Sequence, residues 1–151
     1  MTEQAQPQFA LQRIYVKDLS FESPLGASLF TMKLSPQVKM DMNTRHSKLE
    51  DNLYEVVLSV NVTATQDDKT AFVAEVQQAG LFGCNNIPEP QLDQVLRAFC
   101  PNILFPYLRE AVDNLVVRGG LPALQLSPVN FDALYQQARA QQDAKGKEAQ
   151  H

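Results

Sequence analysis

The sequence predicts an α+β domain: a four-stranded antiparallel sheet with helices C-terminal to it. Three observations predict it. Between Gln8 and Gln78, four stretches alternate apolar and polar residues with a period of two, as strands with one buried face do. From Leu92 onward the apolar residues recur at helical spacing. The strands come first and the helices after, the order of an α+β domain rather than of a βαβ array. A chain of 151 residues is enough for one domain that buries roughly 68–70% of its unfolded surface. No repeat or linker marks a second domain. Residues 1–7 and about 142–151 are polar and low in apolar side chains, and are expected to be disordered tails.

The first strand spans Gln8 to Phe21. Strict alternation puts Phe9, Leu11, Tyr15, Leu19 and Phe21 on one parity, and Ala10, Ile14, Val16, Asp18 and Glu22 on the other. Ser23 to Gly26 is turn chemistry, and a short apolar stretch, Leu29 to Leu34, follows. Val38, Met40 and Met42 alternate with Lys39, Asp41 and Asn43 in a second strand, after which Thr44 to Asn52 is polar enough to be a loop. Leu53 to Thr65 is the clearest strand, and Thr70 to Gln78 the fourth. The few polar residues between them, Gln66 to Lys69, make a hairpin.

Gly80 to Asn86 then breaks the alternation and places Leu81 and Phe82 in a loop. Pro88 and Pro90 suit the first turn of a helix from Gln91 to Phe99, which Pro101 ends. Pro106 opens a second helix that runs to Arg118, where Gly119-Gly120 supplies a left-handed cap. Leu121 to Val129 is extended. Asn130 caps a last helix with Phe131, Leu134, Tyr135 and Ala138 on its apolar side, and beyond Gln141 the chain turns polar.

Composition excludes several functions. The formal charge is −4, from 17 acidic and 13 basic residues, which disfavours nucleic acid as a partner. No run reaches the ~18 apolar residues of a membrane span, and MTEQAQPQF lacks a signal-peptide core. The expectation is a cytoplasmic protein with no direct membrane insertion. His46 and His151 stand near no cysteine or carboxylate at metal-ligand spacing, so no metal site of its own is expected. Cys84 and Cys100 fit a core, or else a thiol nucleophile that would need His46 brought to it by the fold. Asp18 and Glu22 fit a solvated acidic face better than an acid–base pair. Apolar residues are numerous for so small a sheet: Phe21, Leu29, Phe30, Val38, Met40, Met42, Leu81, Phe82 and Phe131. They suit either an ordinary core or a surface for subunits or other chains.

The segment CPNILFPYLREAVDNLVVRGGLPALQLSPVNFDALY resembles the signature of the SecB protein-export chaperones. RIYVKDLSFESP, YEVVLSVNVTA and TAFVAEVQQAGLF resemble that family's first, third and fourth strands, so the resemblance spans about residues 8 to 136. It implies a cytoplasmic, ATP-independent holdase without catalytic residues or cofactor. Such a protein binds unfolded precursor proteins and passes them to the SecA translocase motor. It implies assembly as a dimer of dimers, a homotetramer, through a long helix here carrying Tyr107, Ala111, Val112, Leu115 and Val116. It implies binding of the basic, zinc-containing tail of SecA at Asp18, Glu22 and Glu75, with Val73 beside them. The client groove would use Val38, Met40, Met42, Leu81, Phe82, Phe131 and Leu134. The family tail is often acidic, whereas DAKGKEAQH carries both signs. An alternative within the class is a SecB-like chaperone dedicated to a toxin–antitoxin pair; from another class, a thiol-dependent enzyme. The full acidic set favours the SecA-coupled form.

Overall fold

Alternating valines and leucines in Leu53–Gln66 make the strand β3, which turns tightly into β4, Lys69–Asn85. The turn residues Asp67 and Asp68 both have positive φ, 51° and 61°, the conformation that matches the twist of a two-residue hairpin. A computed structural model describes residues 6–149 of the chain, and side chains through residue 145. With β1 (Gln8–Glu22) and β2 (Gln37–Glu50) they form one antiparallel sheet in the order β1-β4-β3-β2. Even-numbered side chains of the two central strands face the helices. Val56, Leu58, Val60, Val62, Phe72, Ala74, Val76 and Phe82 are at most 1% exposed. Each stabilises the fold by about 1.5–3 kcal/mol where the side chain is large. Among the described residues no helix covers the odd-numbered face.

Three strand expectations change. β4 does not stop at Gln78 but continues to Asn85. Gly80 is there for packing: a Cβ on it would lie 2.6 Å from the Phe82 ring and 3.0 Å from Leu104. β2 continues through the polar residues Thr44 to Glu50, because an edge strand needs no apolar alternation on its solvated side. β1 carries two bulges, with Gln12 and Lys17 as the extra residues. Each bulge shifts the parity. Ile14 and Val16 therefore stand on the helix side, opposite Gly80 and Gln78, while Tyr15 moves to the open face opposite Ala79. The second bulge shifts it back, so Leu19 and Phe21 again face the helices, and Phe21 stacks on Phe72 at 5.5 Å. The buried Gln78 donates to the Tyr15 carbonyl beside that bulge at 3.1 Å.

The prolines do not divide the helices as expected. α1 (Gln91–Gln94) passes through a π turn, Val95–Phe99, directly into α2 (Cys100–Arg118). In the wider turn the Cys100 N–H reaches the Val95 carbonyl five residues back, and Pro101, which has no N–H, follows at the start of α2. Pro106 lies exposed inside α2. An interior proline costs about 3 kcal/mol; the buried stripe Leu104, Leu108, Val112, Leu115 and Val116 offsets it. At the helix end Gly120 has φ 87°, and Leu121 N–H bonds the Val116 carbonyl at 3.1 Å while Gly120 N–H bonds Val117 at 2.9 Å.

The crossing that follows is pinned by Asp113, whose carboxylate accepts the Leu124 and Gln125 amides at 3.0 and 3.1 Å. Asn130 Oδ1 accepts the Ala133 N–H at 3.0 Å and caps α3, Phe131–Ala149. α3 thus runs past Gln141, where a tail was expected. Residues 140–145 of it are exposed and mostly Gln and Ala, good helix formers that need no packed face. The expected tail of residues 1–7 falls largely outside the described residues.

Candidate functional site

A concavity of about 540 Å³ lies between the edge strand β2 and α3. β2 supplies Met40 and Met42 because its even residues face the helices, and Leu58 of β3 stands behind them. The Asn130 cap sets the register of α3, so Phe131, Leu134, Tyr135 and Ala138 fall on the side that closes the groove. Phe131 is buried against Phe105, edge to face at 6.2 Å, whereas Leu134 is 53% exposed. Arg97 and His46 stand at the polar end. There Tyr135 O–H donates to Asp93 Oδ2 at 2.8 Å, Arg139 donates to the Tyr135 oxygen at 3.0 Å, and Arg97 pairs with Asp93 at 3.3 Å. This network ties α3 to α1. Thr44 Oγ1 in the wall is buried with no partner among the described residues.

The structure therefore brings Met40, Met42, Phe131 and Leu134 together. Val38 shares their face but lies beyond the groove, beside Lys39 and Thr63. Leu81 and Phe82 do not join it. Both are in β4, not a loop: Phe82 is fully buried and stacks on Phe9 at 5.6 Å, and Leu81 points to the open face. Leu58, Val129, Tyr135 and Ala138 line the groove outside the expected set. The helical spacing of Tyr135 and Ala138 after Phe131 was the available signal.

On the open face, Ser20 pairs with Glu75, Asp18 with Gln77 and Glu22 with Val73. Asp18 and Glu22 are thus the two diagonal neighbours of Glu75, all three exposed, with Val73 directly opposite Glu22. Among the described residues none of the three carboxylates makes an ion pair. Further along the same face, Lys17 Nζ lies 2.8 Å from Glu55 Oε1, and Tyr15 O–H donates to Glu55 Oε2. The Lys17 and Tyr15 bonds hold the Glu55 carboxyl below its ordinary range. Burial, then the Glu55 bond and charge, push the Tyr15 phenol up to about 12. In the Tyr15 row Val57 and Ala79 are buried although no helix covers this face.

The expected assembly stripe divides. Val112, Leu115 and Val116 are buried against the chain's own sheet and are unavailable to a subunit. The sequence stripe mixed two helix faces that lie only about a quarter-turn apart. Tyr107, 48% exposed, and half-buried Ala111 remain outward, and Phe99 and Val117 are exposed elsewhere on the helical segment. The helix-side residues Leu11, Val16 and Leu19 of edge strand β1 are exposed as well. Cys84 and Cys100 are free and buried, and burial raises both thiols above their ordinary value. A nucleophilic cysteine needs its thiolate, so these environments oppose thiol chemistry. No helix among the described residues is long and apolar enough to cross a membrane.

Comparison with known proteins places this geometry. The profile of the family described as preprotein translocase subunit SecB matches residues 2–142. A protein-export protein SecB of Marinobacter nauticus is 58% identical, covering 95% of this chain and 88% of the relative. Those of Hahella chejuensis and Pseudomonas paraeruginosa are 57% and 56% identical, each covering 97% of this chain and 94% and 95% of the relative. Among solved structures, a SecB-like chaperone of Mycobacterium tuberculosis in complex with an antitoxin peptide has a similar fold. Its TM-score is 0.65 at 17% identity, over 80% of this chain and 87% of that one.

Proposed function

With this chain a member of the SecB family, and so a protein-export chaperone, we propose that it is an ATP-independent holdase of the cytoplasm that keeps precursors unfolded and delivers them to SecA. The groove between β2 and α3 is the observation that carries this reading. Its walls are apolar and adaptable, with two methionines, and it opens along an edge strand. An unfolded chain presents several apolar segments and a folded one hides them, so selection by state needs no chemical step. Many weak contacts along one long client sum through effective concentration. Met40, Met42, Phe131 and Leu134 are the proposed client contacts, with Val38 on the same strand face beyond the groove.

The open-face carboxylates Asp18, Glu22 and Glu75, with Val73, are the proposed contact for the basic zinc-containing tail of SecA. Exposed charges of one sign chiefly orient such a partner and speed its arrival. The zinc belongs to SecA, and the chaperone itself requires no cofactor. Phe99, Tyr107, Ala111 and Val117 of the helical segment, together with Leu11, Val16 and Leu19, form the proposed surface for a homotetramer, which would also cover the β1 edge. The complete acidic set favours this reading over a chaperone dedicated to a toxin–antitoxin pair.

Light scattering with a urea-diluted precursor tests the proposal. The chain is expected to run at the mass of four subunits, to suppress aggregation, and to form a complex of the summed mass. Asp18→Ala with Glu75→Ala should weaken SecA binding and leave suppression intact. Unhindered aggregation, or unchanged SecA affinity in the double variant, contradicts the respective half.

A further inference from the structure

The open face is divided along its length. Three cross-strand rows carry Glu22 with Val73, Ser20 with Glu75, and Asp18 with Gln77. The next two carry Tyr15 with Ala79 and Val57, and Arg13 with Leu81 and Glu55. Lys17 is the extra residue of the second bulge and the sequence neighbour of Asp18. An unanchored lysine at that point would sweep the acidic rows, because its stem is flexible and its ammonium is a compact charge. Instead the ammonium is bonded to Glu55 Oε1 at 2.8 Å. In register Glu55 stands opposite Leu81 and Asp18 opposite Gln77, four β4 residues apart, or about 13 Å along the strand. Both oxygens of Glu55 are used, one by Lys17 and one by Tyr15, which fixes the carboxylate's orientation. Of the other cations on this side, Arg45 donates to Gln77 Oε1 at 3.2 Å from the β2 side, Arg13 stands opposite Leu81, and Lys39 stands opposite Thr63.

We propose that Glu55 is a positioning residue for the acidic surface: it draws the Lys17 ammonium away from Asp18 and leaves Asp18, Glu22 and Glu75 without an ion pair among the described residues, ready for a basic partner. The inference rests on the reading that this surface takes the basic tail of SecA. It assigns Glu55 no contact with that partner. The bulge at Lys17 serves two ends at once, turning Asp18 and Glu22 onto the open face and launching a side chain long enough to reach β3.

Calorimetric titration of SecA at low salt into the full chain and three variants tests it, with a melting curve for each. Glu55→Gln keeps the shape and frees Lys17. It is expected to weaken SecA binding about fivefold, less at high salt. Adding Lys17→Met to Glu55→Gln removes the freed charge and should return the affinity to within about twofold of the parent. Asp18→Ala with Glu75→Ala measures the acidic surface itself. Suppose that control weakens binding while Glu55→Gln binds like the parent, or while the Lys17→Met addition restores nothing. The positioning role is then overturned, since a merely structural loss is not rescued by removing the second partner. If the acidic control binds like the parent, the underlying SecA reading fails instead.

Discussion

Phe131→Ala should detach α3 from the groove without unfolding the sheet. Phe131 is 5% exposed and Tyr135 also 5%, and these are the two buried apolar side chains through which the described part of α3 is held. Phe131 fills the space beside Phe105 with its ring 6.2 Å away, at an interplanar angle of 62°. Truncating a buried phenylalanine costs about 3–5 kcal/mol, including the lost aromatic contact and the cavity. The position is at a helix start beside an open groove, where collapse is easy, so the lower figure applies. About 3 kcal/mol taken from the docking of one helix raises its opening equilibrium by roughly a hundredfold. Amide hydrogen exchange resolved by residue is the assay. The amides of Leu134 to Ala138 should exchange roughly a hundred times faster, while those of Val56 to Val62 in β3 stay as they were. An increase below about threefold in α3, or an equal rise in β3, would refute the idea that α3 is a separately docked wall.

Gly120→Ala forces a side chain into φ 87° and against the Phe30 ring at 2.9 Å, and should lower stability by about 1–2 kcal/mol in urea unfolding. In native protein at neutral pH, iodoacetamide should label Cys84 and Cys100 far more slowly than a free thiol, and urea should restore labelling, because burial raises both thiols and lowers their thiolate fraction. By ultraviolet titration one of the four tyrosines should ionise near pH 12, and Tyr15→Phe should remove that phase. Because the folded value lies above the ordinary 10.0, the stabilisation it reflects is present below pH 10 and lost as pH rises toward 12. Glu55 has the opposite sign. Its carboxyl is lowered from 4.5, so its contribution is present above that pH and lost as pH falls through the lowered value. The melting difference between the parent and Glu55→Gln should therefore shrink in acid.

The central strands were legible because both of their faces obey simple rules. Val56 to Ala64 alternates at every position but Val57, and a two-residue turn follows. The edges were less so. Alternation assumes that every residue is paired, and the extra residues Gln12 and Lys17 break that assumption invisibly. Asp18 and Glu22 were still found together because both follow the second bulge. Thr44 to Glu50 looked like a loop because an edge strand under a shallow groove needs few apolar residues. Gly80 and Gly83 looked like breakers, but Gly80 answers to the close approach of the Phe82 ring and of Leu104 from α2, which no local pattern reports. That error put Phe82 in the groove. Proline at positions 101 and 106 suggested two helices, since the π turn that joins them has no sequence signal of its own. On α2 the pattern showed an apolar helix but not which side met the sheet, so core and outward residues were merged.

The claim that clients occupy the groove between β2 and α3 can be tested at the methionine methyls. The chain has four methionines, two of them, Met40 and Met42, in the groove floor, while Met32 lies outside it. Methyl spectra of methionine-labelled protein, recorded as an unfolded precursor is added, should show the Met40 and Met42 signals shift and broaden with Met32 unchanged. Precursor binding with the Met40 and Met42 signals unmoved would contradict the account.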